Sequence, residues 1–126
     1  MTQIFLSLAA VLGGLSVAAG AFASHALREK LSERSLEIFE TGARYQMYHA
    51  LALLLVALLL SRTESYSPTL VATGWLFIIG TALFSGSLYV LSLTGVKSLG
   101  AIAPLGGAAF IAGWGALAIA AWSLKF

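Results

Sequence analysis

The sequence predicts an all-α fold: a polytopic membrane protein built as a four-transmembrane-helix bundle, with an amphipathic helix between spans one and two. Three observations predict it. Of 126 residues, 60% are hydrophobic and only 10% charged, whereas soluble domains carry about a quarter charged residues. The apolar residues fall into four runs, near 3–24, 45–62, 69–93 and 99–123, each comparable in length with the ~30 Å hydrocarbon core at 1.5 Å rise per residue. Charges, prolines and turn residues collect between the runs. Four such spans consume the chain, so 1–126 reads as a single integral membrane domain.

The composition also excludes chemistry. Without cysteine there is no disulfide, iron–sulfur cluster or thiol nucleophile. Without Asp or Asn there is no EF-hand loop, no usual triad acid and no N-glycosylation site. A net charge of +2, from basic groups scattered over loops and ends, makes no nucleic-acid stripe. Neither nucleic acid nor a cofactor is expected; the expected partner is the lipid bilayer.

Residues 2–24 carry no charge and can span once. Ala21-Phe-Ala23 before Ser24 has the small-x-small form of a signal-peptidase site. The run is nonetheless longer than a typical signal core and lacks a basic start, so it reads as a span. Small residues four apart, Ala10-Gly14-Ala18 and Ser16-Gly20-Ser24, predict close helix contacts along it.

Residues 25–43 hold most of the charge. Leu27, Leu31, Leu36, Phe39 and Ala43 recur at helical spacing, predicting an amphipathic helix on the membrane surface or one running on into the second span. Lys30 with Glu33, Arg34 with Glu37, and Glu40 with Arg44 stand three or four apart, where ion pairs form. Arg44 to Arg62 covers about 27 Å as a helix, with an arginine for each interface. Arg62–Pro68 is a polar turn closed by proline, and Thr94-Gly95 ends the third span. The fourth span repeats Ala108-Ala112-Ala116-Ala120, and Pro104 is expected to kink it. Trp75 and Trp122 are candidate interfacial anchors, while Trp114 lies too deep for that role.

The first and third loops carry Arg28, Lys30, Arg34, Arg44 and Lys97, against Arg62 and Lys125 on the other side. The positive-inside rule then places 25–44 in the cytoplasm and both termini outside. That topology gathers the unusual polar groups into the inner half of the bundle. His25, Arg44, Tyr45, Gln46, Tyr48, His49, Ser85, Ser87 and Tyr89 form a candidate polar cluster. His49 lies about 7 Å below Arg44 along the helix, and a titratable group at that depth needs hydrogen-bond partners. They are expected from His25, Gln46, Ser85, Ser87 or a carbonyl freed near Pro104. Bis-histidine haem ligation by His25 and His49 has no apolar slot for a macrocycle in the pattern. A metal site would have two histidines and only interfacial glutamates. Serines are present, but no acid stands to orient a base. No catalytic, cofactor or metal residue is assigned.

Longer motifs carry a family resemblance: Gly20-Ala-Phe-Ala-Ser-His-Ala-Leu27, Tyr45-Gln-Met-Tyr-His-Ala-Leu-Ala-Leu53, Leu83-Phe-Ser-Gly-Ser-Leu-Tyr89 with Thr94-Gly95, Ile102-Ala-Pro-Leu-Gly-Gly107 and Gly113-Trp114. On these the chain resembles the YgdD/YwdK-like family of small multipass membrane proteins, domain of unknown function four-two-three. Ala23-Ser24-His25 stands where that pattern commonly has Gly-Ala-His. The resemblance implies an intact multipass protein of a bacterial inner membrane and supplies no catalytic residue. The expected role is a structural or assembly component, in a larger membrane complex or a homo-oligomer, and not an enzyme. The alternative is a small-ligand or ion transport module using the inner polar cluster.

Overall fold

A computed structural model describes residues 1–125. It contains four long helices, each long and apolar enough to cross a membrane. Helix α1 runs Thr2–Phe22 and passes into a π-helical turn, Ala23–Leu27. Helix α2 is Glu33–Arg62, α3 is Pro68–Thr94, and α4 is Ala103–Ser123 after a 3-10 turn at Lys97–Ala101.

The local signals explain the boundaries. Ser32 caps α2 by accepting the Ser35 N–H at 3.1 Å, and Glu33 complements the helix dipole in the first turn. Nothing stops α2 before Arg62, so its 30 residues extend about 44 Å. From Glu33 onward the amphipathic stretch is therefore the first turns of α2, the running-on alternative, while Leu27 and Leu31 precede it in the π turn and the following loop. Ser67 caps α3, with Pro68 in its first turn where a missing N–H costs nothing. Gly95 ends α3 at φ 72°, donating its N–H to Leu91 at 2.8 Å, a backbone state that favours glycine.

Pro104 does not kink a span. It sits in the first turn of α4, where no intrahelical donor is required of it. Among the described residues Arg34–Glu37, 3.4 Å apart, is the only ion pair; Lys30–Glu33 and Glu40–Arg44 do not close.

Sequential helices pack side by side, α1 on α2, α2 on α3 and α3 on α4. The larger apolar core lies toward the Arg62 end, around Phe5, Leu53, Val56, Leu70 and Phe77. A smaller one, Ala23, Leu27 and Phe39, holds the π turn of α1 against α2 near the 28–34 turn. Of the small-residue stripes of α1, Ala10-Gly14-Ala18 makes no tight contact, and in Ser16-Gly20-Ser24 only Ser16 is buried against α2. Ala10, Gly14 and Ala18 are exposed, and a Cβ added at Gly14 or Gly20 would meet nothing within 4 Å. The close approach is between α3 and α4. A Cβ on Gly80 would lie 2.5 Å from the Phe110 ring and 3.2 Å from the Gly106 carbonyl oxygen, and one on Gly106 would strike the backbone of Phe84.

Candidate functional site

Between the two cores lies a polar band organised by α2. Its buried positions, Phe39, Gly42, Ala43, Gln46, His49, Ala50, Ala52, Leu53, Val56 and Ala57, recur every three or four residues and form one seam. Gly42 and Ala43 have little or no side chain, which leaves their carbonyls open to a second donor. The Ser16 hydroxyl of α1 donates to the Ala43 carbonyl at 2.7 Å. The Ser85 hydroxyl of α3 donates to the Gly42 carbonyl, also at 2.7 Å. Gln46 joins both neighbours: its Nε2 donates to the Leu12 carbonyl of α1 at 2.8 Å, and its Oε1 accepts from the Tyr89 hydroxyl of α3 at 2.6 Å. These bonds align α1, α2 and α3 in depth.

One turn along α2, His49 turns to α4. Its Nδ1 lies 2.8 Å from the Tyr45 carbonyl, and the Trp114 Nε1–H reaches its Nε2 at 3.1 Å. A carbonyl only accepts and an indole N–H only donates, so the ring is the neutral tautomer carrying its proton on Nδ1. The imidazole stacks on Phe110, centroids 3.5 Å apart and planes 8° apart. Phe77 and Trp114 close the aromatic group at 5.4 and 6.0 Å. Both ring nitrogens are engaged, which leaves no free lone pair for a metal or haem iron.

The structure thus divides the sequence-predicted cluster. Gln46 and Tyr89 bond each other, and Ser85 bonds α2. His49 is buried, but its partners are none of those expected; they are its own helix's Tyr45 carbonyl and Trp114. Ser87 bonds back to the Phe84 carbonyl within α3. His25 is exposed on the π turn, and Arg44 and Tyr48 are exposed on α2, with Tyr48 edge-on to Tyr45 at 5.6 Å. Sequence reasoning placed Ser16 in a packing stripe without its bond to Ala43, and it missed Phe110 and Trp114 as partners of His49. The available signal for Trp114 was its depth, since an indole N–H in mid-span needs an acceptor. Among the described residues, every buried side-chain nitrogen and oxygen has a partner.

Removing the Tyr89 hydroxyl leaves Gln46 Oε1 without its donor. Tyr89→Phe is expected to cost about 1 kcal/mol in a detergent unfolding titration, typical of an interhelical bond in a membrane bundle. Tyr45→Phe should cost nothing measurable, since that hydroxyl makes no hydrogen bond among the described residues. Equal losses for the two variants would refute the assignment.

A family model described as a protein of unknown function (DUF423) matches residues 19–107. This stretch contains the polar band's α2 and α3 residues and most of the motifs quoted above. The chain belongs to this family. It is 44% identical to the UPF0382 membrane protein YwdK of Bacillus subtilis, covering 94% of this chain and 96% of that one. A UPF0382 membrane protein of Staphylococcus epidermidis is 46% identical, covering 98% of each chain. One of Haemophilus influenzae is 40% identical, covering 99% of this chain and 98% of its own. No solved structure matches. Relatives named as membrane proteins and four apolar helices of spanning length together make this family member a multipass membrane protein.

Proposed function

We propose that this chain is a non-catalytic structural or assembly component of a bacterial inner membrane, a preformed four-helix unit that packs against a larger complex. The observation that carries this reading is the closed polar band. Side-chain bonds tie α2 to each of the other three helices, and the buried donors and acceptors are spent on one another. A module that bound or transported a ligand through this band would need the band's polar groups held open toward a cavity. The outward Ala10-Gly14-Ala18 stripe supports the same reading, because small residues let a further helix approach closely.

Purification in mild detergent followed by a native gel tests it. The chain is expected to migrate with one larger membrane complex in fixed stoichiometry. Gly14→Leu should release that complex while leaving the bundle's own unfolding unchanged, since nothing lies within 4 Å of a Cβ there. Migration of the wild type alone would overturn the proposal.

In this reading the 25–44 segment faces the cytoplasm and both termini face out, following the five-to-two division of Lys and Arg. A C-terminal reporter that is active only in the cytoplasm should therefore stay silent. Activity would reverse the orientation, with Glu29, Glu33, Glu37 and Glu40 having offset the basic bias of that loop.

A further inference from the structure

We propose that the groove between α1 and α2, near the 28–34 turn, binds a membrane lipid with a phosphoethanolamine headgroup. In this site Arg44 takes the phosphate, Glu40 takes the ammonium, and one acyl chain lies in the groove.

The groove has a volume of about 390 Å³, with Val17, Gly20, Ala43 and Met47 among its lining and Glu40 and Arg44 as its charged groups. Its depth is set by the Ser16 bond to the Ala43 carbonyl, which places Ser16 beside the start of Arg44. From that level α1 continues through Val17–Leu27 without a charge. The two charged side chains therefore stand beside an uncharged stretch of α1. In the proposed site this level is the boundary between headgroups and acyl chains, where long charged residues keep apolar stems in lipid and polar tips toward water.

The state of the two charges points to the ligand. Glu40 and Arg44 are four residues apart on one helix, a spacing at which an ion pair can form. They do not pair, although the Arg34–Glu37 pair three residues apart does. Both instead line the same groove. A purely anionic headgroup would satisfy Arg44 and set its phosphate against Glu40. A choline headgroup carries a cation with no N–H to give a carboxylate. Phosphoethanolamine carries an anion that suits the two-pronged guanidinium and an ammonium with three donors for the carboxylate. Its charge pattern complements the groove at both points.

Gly20 supplies an independent handle. A Cβ added there meets nothing within 4 Å, so a side chain at this position starts into the groove without a clash.

The test is native mass spectrometry of the full chain in detergent with equal amounts of phosphatidylethanolamine, phosphatidylglycerol and phosphatidylcholine sharing the same acyl chains. Wild type should retain phosphatidylethanolamine over each of the others by about five-fold, the ratio that ~1 kcal/mol provides. Glu40→Gln should abolish the preference over phosphatidylglycerol, and Arg44→Gln should lower retention of all three. Gly20→Leu should remove retention with the unfolding midpoint unchanged, and Arg62→Gln, at the other end of α2, should leave the preference intact. Excess water-soluble glycerophosphoethanolamine should fail to displace the lipid. Equal retention of the three lipids by wild type, a preference that survives Glu40→Gln, or displacement by the soluble headgroup would each overturn the proposal.

Discussion

Gly106→Ala is expected to destabilise the bundle by about 3 kcal/mol, at the upper end of what a single added methyl costs in a packed core. The reason is what the methyl would meet. At Gly106 its nearest neighbour is the backbone nitrogen of Phe84, which cannot rotate aside as a side chain can, so α3 and α4 must separate. That separation also disturbs Phe110, which lies against Gly80 of α3 and stacks on His49 of α2. Gly113→Ala should cost less, about 1–2 kcal/mol, because its added methyl meets the Phe77 ring at 2.7 Å and a ring can tilt. Gly86→Ala and Gly115→Ala have open space within 4 Å and should fall within ~0.5 kcal/mol of wild type. Unfolding titrations of the four variants in one detergent system check the order. A Gly106→Ala midpoint no lower than that of Gly86→Ala would show that the helices do not approach as described.

The spans were legible because a bilayer imposes a length and a polarity that composition alone reveals. The runs 45–62 and 69–93 fall within α2 and α3, 3–24 passes from α1 into the π turn, and 99–123 starts in the 3-10 turn ahead of α4; α2 could be read through Gly42 because no proline or cap interrupts it. Gln46 and His49 stood out for a similar reason, being polar groups inside an apolar run. Their partners did not. A lipid-facing alanine and one at a helix contact have the same neighbours in sequence and nearly the same solvation, so the stripe at Ala10, Gly14 and Ala18 looked like an interface and faces outward. The tight contacts at Gly80 and Gly106 come from how α3 and α4 cross, which hydrophobic periodicity does not encode. Pro104 was misread for a different reason. From sequence the span starts at 99, directly after the Lys97 loop, whereas the 3-10 turn Lys97–Ala101 takes up residues 99–101 and leaves Pro104 in the first turn of α4. His25 was drawn into the cluster by topology, as the inner end of the first span, but the π turn leaves its side chain exposed.

His49→Ala is expected to cost about 3 kcal/mol, combining a core cavity with a stranded donor. Truncation removes the ring that stacks on Phe110 and leaves the Trp114 N–H without its acceptor. In hydrocarbon no water replaces that acceptor. Three further variants separate the two contributions. Trp114→Phe keeps much of the aromatic contact and deletes the donor together with part of the ring, so it should cost about 1 kcal/mol, near the value of an interhelical bond in a membrane bundle. His49→Gln can still offer a carbonyl oxygen to Trp114 but gives up the flat stack on Phe110, and should lie between wild type and His49→Ala. In the double variant His49→Ala with Trp114→Phe, the second change should add little, because the N–H it removes is already unpaired. The coupling recovered from that cycle is expected at about 1 kcal/mol. Strictly additive losses would mean that the indole and imidazole do not bond, and His49 would then contribute through its ring stack alone.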